Sequence, residues 1–466
     1  MVELEHRAAY PYIPNSAPLS REEMRRVVGV SDEEELYAGI PERLRFHGEL
    51  DLPPRLASEC ELERHVRGLL EKNSTCEEYL NFRGAGCWQH YVPAVCDEVA
   101  SRGEFLTTYV GGPHSNLGAL QAQFEYQSLI GELVGLDAVG APTYDWGAAA
   151  ASSLLMACRL TGRDEILIPE ILSPERTAQI KAICGAVAAV RTVPCDLSTG
   201  SLDMERLSSL LSERTATVYL EMPSYLGLVE PNAAAIGQAV HGRGGFFVVG
   251  VDPSSLGVLA APVAYGADIV CGELQPLGLH MNFGGGLAGF IATRHEERFL
   301  TEHPTLLVGI LPTVVEGENT FGWVNFESTH YVRREQAKDF TGTTQTLWGI
   351  VAGAYLALLG PTGLRELGES ILYRTEYAIS RLGAIKGVTI PFAAGAHFKE
   401  FVVSFDGSGR TVAQVNRALR DRGIFGGKDL SRELPRLGQS ALYCVTEIHN
   451  KGDIERLASA MEEVLA

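Results

Sequence analysis

The sequence predicts an α/β protein: a large domain on a mostly parallel sheet with helices on both faces, followed by a smaller α+β domain. Three observations predict it. Between residues 165 and 293, six apolar runs recur, each about four to six residues long, the length of strands buried on both faces. Helical stretches lie between most of them, and strand–helix–strand repetition implies parallel neighbours joined by right-handed crossovers. From about Gln336 the pattern changes to long helices with isolated strand-like runs.

The elements follow in order. Residues 1–75 read as an accessory helical arm. Pro11, Pro14 and Pro18 break its start, and Ser20 before Arg21-Glu22-Glu23-Met24 reads as a helix N-cap. Ser31-Asp32-Glu33-Glu34 gives a second start of the capping-box type. Pro41, Pro53 and Pro54 keep the next stretch extended, and Leu62, Val66, Leu69 and Leu70 mark a helix over Glu61–Glu71. The large domain, 76–335, carries strands at Glu165–Pro169, Ala189–Val193, Thr217–Glu221, Phe246–Val251, Ile269–Gly272 and Gly289–Thr293, with helices such as Ser173–Cys184 and Met204–Leu211 between them. The small domain, 336–466, has helices over about Thr343–Leu359 and Thr362–Leu382, separated by Gly360-Pro361. Strand-like Glu400–Phe405, a helix near Ala413–Arg422, strand-like Ala441–Cys444 and a closing helix Lys451–Leu465 complete it.

Composition narrows the function. The 466 residues are 45% hydrophobic and 21% charged, ordinary for a globular chain. The 39 basic and 58 acidic residues leave a net charge of −19, which argues against a general nucleic-acid binder or a protein held on an anionic membrane. The nine cysteines are scattered and contain no Cys-x-x-Cys pair, so reduced thiols in a cytoplasmic protein are expected, without a disulfide framework or metal site. The first ten residues carry charges before any apolar run, unlike a signal peptide, and the apolar stretch Ala148–Ala157 is too short to span a bilayer.

Open parallel sheets bind ligands beyond the carboxyl ends of their strands, and three segments there are informative. In Thr143-Tyr144-Asp145-Trp146-Gly147-Ala148-Ala149-Ala150, an Asp and a Gly precede an Ala-rich helix. Free N–H groups at such an N-terminus make an anion or phosphate cup; Asp145 as a plain N-cap, with alanines for close packing, accounts for the same residues. In Phe246–Pro253 an apolar strand delivers Asp252, a carboxylate able to pair with a protonated ring nitrogen or simply to cap the turn at Pro253. In Gly266–Gly286 a strand runs into a loop ending Gly284-Gly285-Gly286. This is neither a dinucleotide fingerprint nor a Walker loop.

In order and wording these segments resemble the fold-type I pyridoxal-phosphate superfamily, and more closely the glycine cleavage system P-protein family, glycine dehydrogenase (decarboxylating), in subunit 1 (the alpha chain) of its split form. Tyr12-Ile13-Pro14, Leu36-Tyr37-Ala38-Gly39-Ile40-Pro41, Gly84-Ala85-Gly86, His90-Tyr91-Val92-Pro93-Ala94-Val95, Leu120-Gln121, Phe124-Glu125-Tyr126-Gln127, Phe398-Lys399-Glu400-Phe401 and Cys444-Val445-Thr446-Glu447 extend the likeness over nearly the whole chain. The resemblance implies a vestigial or shared cofactor cleft at Asp145, Trp146, Gly147, Ala148, Asp252, Gln275 and Asn282. His90, Tyr91, Tyr109 and His114 are candidates for a substrate or lipoyl wall; each could equally be a satisfied structural residue.

A fold-type I enzyme needs a lysine amine to hold its cofactor. The chain has seven lysines, at 72, 181, 338, 386, 399, 428 and 451, and none lies in Glu273–Gly286, where the loop would carry it. No Schiff-base lysine is therefore assigned. Lys399 and Lys428 are expected at the surface or at an interface. The resemblance implies that pyridoxal phosphate is covalent on a beta partner, subunit 2, and not on this chain, which alone is expected to be inactive. In the implied reaction glycine is decarboxylated and its aminomethyl group passes to the lipoyl arm of H-protein. No nucleic acid or membrane partner is expected.

Departures cluster near the implied pocket. Tyr109-Val110-Gly111-Gly112-Pro113-His114 replaces a longer loop, Trp146 and Gly286 stand where the family prefers Gly and Pro, and Lys338–Gln345 differs from its usual wording. They leave two alternatives open: a non-catalytic regulatory paralogue, or a pyridoxal-phosphate enzyme acting on another amino acid and recruiting Lys399 or Lys428.

Overall fold

The computed structural model describes residues 13–48, 50–54, 56, 58–106, 116–324 and 338–466. Its contacts divide the chain into two units, Met1–Asn73 and Ser74–Ala466.

The first unit holds α1 (Pro18–Val28) and α2 (Glu59–Leu70). The α1 helix starts ahead of Ser20, because Pro18 supplies a preset φ at the first position; Ala17 is the N-cap and lends no side chain. Ser31 opens no capping box: a 3₁₀ turn, Glu33–Tyr37, is capped by Asp32 instead. A capping box does start α2, between Ser58 and Glu61. No described residue of this unit is buried.

The second unit begins with β1 (Leu80–Asn81), α3 (Ala94–Ser101), α4 (Gly103–Leu106), α5 (Leu117–Val134), β2 (Ala138–Val139) and α6 (Trp146–Thr161). Strands and helices then alternate: β3 (Glu165–Pro169), α7 (Pro174–Cys184), β4 (Ala189–Val193), α8 (Met204–Leu210), β5 (Thr215–Met222), α9 (Ala233–His241), β6 (Phe246–Val251), β7 (Ile269–Glu273) and β8 (Gly289–Thr293). The seven strands form one sheet in the order β2-β8-β7-β6-β5-β3-β4. From β4 to β7 every pairing is parallel. The exception is β8, antiparallel to both β7 and β2; residues 274–288 contain no α-helix to carry the chain across, so it doubles back.

Side-chain alternation splits the core into the two layers that a sheet covered on both faces requires. Ile166, Ile168, Tyr219 and Val248 pack with α6 and α7, while Leu167, Val218, Leu220 and Val249 pack with α5, α9 and later helices. Ala149, Ala150, Ala151 and Ala157 of α6 are fully buried, so they serve close helix–sheet approach.

Beyond the sheet come α10 (Glu297–Leu300), the hairpin β9 (Leu307–Pro312)–β10 (Asn319–Val324) and α11 (Thr346–Gly383). The two helices read from the sequence are the halves of α11, which breaks at Gly360 (φ 58°, ψ −175°) before Pro361. Although α11 is long and apolar enough to cross a bilayer, it packs on α5 and α3. The chain ends with β11 (Glu400–Ser404), α12 (Val412–Arg420), β12 (Ile424–Phe425), β13 (Lys428–Asp429), β14 (Ser440–Cys444) and α13 (Lys451–Leu465). β14 lies antiparallel between β11 and β13, and β1 pairs in parallel with β12.

A turn locks this C-terminal layer to the large sheet. Phe398 donates its N–H to the Gly227 carbonyl at 2.9 Å. Gly227 holds φ +80°, and a Cβ there would lie 1.9 Å from the Glu400 carbonyl oxygen. Gly227→Ala is expected to cost about 3 kcal/mol or more, combining a left-handed backbone with overpacking against main chain. Denaturant unfolding of the purified variant checks this; a loss below about 1 kcal/mol would show that the lock is soft.

Candidate functional site

The parallel strands deliver carboxylates to one edge of the sheet. Glu221 is the last residue but one of β5, Asp252 follows β6 and Glu273 ends β7, all three buried. Three buried carboxyl groups in a dry edge need partners, and each has one from this same chain.

Asp252 is held at both oxygens. Oδ1 accepts from the Ser254 N–H (3.0 Å) and hydroxyl (2.7 Å), and Oδ2 lies 2.5 Å from the Lys399 ammonium. Lys399 enters from the turn before β11. Its backbone is left-handed (φ 67°), which aims the side chain inward, and only 1% of it is exposed. The ammonium stands 4.4 Å from the centre of the Trp88 ring and donates to His90 Nε2 at 2.8 Å. The other ring nitrogen, Nδ1, lies 2.7 Å from Glu447, whose second oxygen accepts the Tyr91 N–H. Burial pushes Glu447 upward, but its pairing with His90 and its hydrogen bond from the Tyr91 N–H outweigh it and hold the carboxyl at about 2. A continuous hydrogen-bonded chain thus runs Glu447–His90–Lys399–Asp252.

The N-terminus of α6 is occupied as well. The Trp146 N–H is taken by Glu273 (3.1 Å) and the Ala148 N–H by Asp145 (2.7 Å). Glu273 also accepts from the N–H groups of Gln275 and Ala288. Burial still dominates and pushes it up to about 8. Gln179 closes over Gly147, where a Cβ would meet its Oε1 at 2.2 Å. The Trp146 indole lies against Gly250 and donates to Tyr219 (2.9 Å), while Arg176 covers it at 4.3 Å and grips Glu221 with two hydrogen bonds. Between Trp88, Trp146, Arg176, Asp252 and Lys399 a void of about 10 Å³ remains, room for about one water.

Of the expected residues the structure brings Trp146 and Asp252 to the lining of this void, with His90 behind Lys399 and Asp145, Gly147 and Ala148 at the adjoining α6 N-terminus, but it leaves little space there. The Trp146 and Ala148 N–H groups of α6 are taken by Glu273 and Asp145 and Gln179 covers Gly147, so the expected anion cup is occupied by the chain's own side chains. Lys399, expected at the surface or an interface, is buried; Lys428 is half-buried, bound to Tyr225 and Glu433. Gln275 spends its amide on the Trp88 backbone and Leu279. Asn282 is exposed in the next loop, outside the residues lining the void. The Tyr91 side chain is exposed, and Tyr109 and His114 lie outside the described residues. Sequence reading missed Glu221, Glu273 and Arg176. Glu221 and Glu273 carried the signal that picked out Asp252, a lone carboxylate at the end of an apolar strand.

A family model described as glycine cleavage system P-protein matches residues 11–461. The chain belongs to the glycine cleavage system P-protein family. Relatives in this family include probable glycine dehydrogenase (decarboxylating) subunit 1 of Staphylothermus marinus, 36% identical, and of Pyrococcus horikoshii, 39% identical. The first alignment covers 98% of each chain; the second covers 97% of this chain and 99% of the relative. An inhibitor-bound glycine decarboxylase (P-protein) crystal structure superposes with a TM-score of 0.85 at 35% identity, covering 98% of this chain and 100% of that one. A sphingosine-1-phosphate lyase from Burkholderia pseudomallei, at 15% identity and a TM-score of 0.64 over 92% of this chain and 94% of that one, shares the fold. The architecture is that of fold-type I pyridoxal-phosphate enzymes.

Pyridoxal phosphate does not fit this chain's own version of the family cleft. The loop after β7 offers no lysine, Asp252 already holds a cation, the helix N-terminus already holds carboxyl oxygens, and the space between them admits one water.

The raised Glu273 makes a pH prediction. Its folded value of about 8 exceeds its ordinary 4.5, so between these pH values the folded chain keeps a proton that the unfolded chain releases. Stability from this group is full below about pH 4.5 and drains, at about 1.4 kcal/mol per pH unit, as pH rises toward 8. Glu273→Gln is expected to flatten the stability profile between pH 5 and 8 by that slope. Parallel profiles for the two proteins would contradict the assignment.

Proposed function

We propose that this chain works as subunit 1, the alpha half, of a decarboxylating glycine dehydrogenase of the glycine cleavage system, with a subunit 2 that supplies both the Schiff-base lysine and the pyridoxal phosphate. The observation that carries this reading is the doubly occupied cleft: Lys399 on Asp252 at one end, Glu273 and Asp145 on the α6 N-terminus at the other. Full-length similarity to proteins named subunit 1 supports it and disfavours a purely regulatory paralogue. In this reading glycine and the lipoyl arm of H-protein are handled at the partner's site. The chemistry of electron withdrawal belongs to the cofactor there.

The part left to this chain is structural completion of that site, and its surface suits the task. Phe283 is wholly exposed (103%) on a loop where it and Asn282 both have positive φ. Such strain persists where a loop conformation matters, and a rigid exposed aromatic is the usual anchor of an interface. Tyr91 and Tyr144 are exposed on adjoining segments: Cys87 Sγ reaches the Met281 carbonyl, and Thr143 pairs with Gly289. In the first unit Leu19, Val27, Leu44, Phe46, Leu62 and Leu69 are exposed with no core of their own, as in a segment that gains its packing from another chain.

Co-expression with a subunit-2 chain tests the proposal. A stable complex is expected, with glycine-dependent exchange of the carboxyl carbon with CO₂ that requires lipoylated H-protein and is lost when this chain is omitted. Exchange by subunit 2 alone at the same rate, or failure of the two chains to associate, would overturn it.

A further inference from the structure

The Lys399 ammonium is met on three sides. Asp252 Oδ2 lies 2.5 Å away, His90 Nε2 at 2.8 Å and the centre of the Trp88 ring at 4.4 Å. All three residues are less than a tenth exposed. Each is also held by a residue other than Lys399. Ser254 holds the second oxygen of Asp252, and Glu447 holds the second nitrogen of His90. The Gln275 amide brackets the Trp88 backbone, accepting its N–H at 2.9 Å and donating to its carbonyl at 2.8 Å. The walls therefore form a built receptor, and the lysine is its occupant.

Counting protons identifies the group this receptor fits. An ammonium has N–H groups to give and no lone pair, so His90 Nε2 accepts from Lys399 and the ring proton sits on Nδ1, toward Glu447. The pocket presents a carboxylate oxygen, an imidazole lone pair and an aromatic face. All three attract a cation, and the first two each need an N–H from it. A primary ammonium supplies both. A protonated ring nitrogen or a tertiary ammonium carries one N–H: given to Asp252, it leaves His90 Nε2 buried without a donor. The Lys399 backbone keeps its left-handed φ of 67°, with its carbonyl held by the Val445 N–H at 2.8 Å. Residues with a Cβ adopt that conformation at a cost, and here it aims the ammonium into the pocket.

We propose that the pocket at the end of β6 is a primary-ammonium site filled by the chain's own lysine: Asp252, His90 and Trp88 select –NH₃⁺ over a protonated ring, and with the Lys399 side chain cut back the pocket takes a free primary alkylammonium. Removing Lys399 therefore does not return the pocket to a pyridinium site, because His90 still asks for a second N–H. The proposal concerns the single chain, so it stands or falls independently of the subunit assignment.

Thermal unfolding of the full-length Lys399→Ala chain tests the site. Its midpoint is expected to fall by at least about 5 °C, since Asp252 is left buried without its cation. Propylammonium replaces the atoms removed, and is expected to restore at least half of that loss, saturably, while leaving the unaltered chain's midpoint unchanged. Trimethylammonium has the same charge and number of heavy atoms but one N–H, and 1-propanol has the same number without the charge; each is expected to act at least tenfold more weakly. Lys399→Ala/Asp252→Ala is expected not to respond to propylammonium. If Lys399→Ala does not fold by itself, its refolding yield from urea with and without each compound gives the same comparison. Equal rescue by trimethylammonium, rescue by pyridoxal phosphate in place of propylammonium, or no rescue by any cation would overturn the proposal. So would a Lys399→Ala chain as stable as the unaltered one.

Discussion

The buried pair between Lys399 and Asp252 is the constraint on which the rest of the cleft depends. Desolvating a carboxylate at a sheet edge is costly unless a cation accompanies it, and removing one partner of such a pair costs on the order of 3–5 kcal/mol. In a cofactor-bearing cleft the cation can be a ligand's protonated ring. Here it is a side chain of the same polypeptide, buried to 1% exposure and pinned by His90, Trp88 and a left-handed backbone. Once Lys399 is in place, Trp88 and Glu447 are fixed through it, and the C-terminal layer is tied to the carboxyl edge of the parallel sheet.

The opposite end follows the same logic with reversed sign. A helix N-terminus attracts an anion, and Glu273 and Asp145 supply carboxyl oxygens where a ligand's phosphate would otherwise be drawn. Trp146 then fills the space between, made possible by Gly250 beneath it and by Arg176 above. Cation, ring and anion acceptor are thus each met by a residue of the chain. The fold keeps the architecture of a pyridoxal-phosphate enzyme while its central cleft has become part of the core.

Most of the fold was legible in the sequence because strand length and helix punctuation are local signals. Glu165–Pro169, Ala189–Val193, Phe246–Val251 and Lys451–Leu465 have the bounds read from their residues. The direction of β8 was not legible, since it depends on what residues 274–288 do in space. Nor was the start of α1, where Pro18 outweighed Ser20. In the cleft, Asp252 and the missing loop lysine could be seen as sequence. The partner of Asp252 could not: Lys399 lies 147 positions away, and a lysine in the run Phe398-Lys399-Glu400-Phe401 gives no sign that a positive φ turns it inward. The capping carboxyl of Glu273 was equally hidden, because only the three-dimensional approach of β7 to α6 gives it the Trp146 N–H.

The central claim is that this chain fills its own cofactor cleft. It is tested most directly by adding pyridoxal phosphate to the purified single chain, recording the visible absorption spectrum, then reducing with borohydride and mapping the peptides. The account predicts no Schiff-base absorption band, no reduced lysine adduct and complete loss of the added cofactor on dialysis. A stoichiometric adduct on Lys399 or Lys428 would contradict it and make this chain a cofactor-bearing catalyst in its own right.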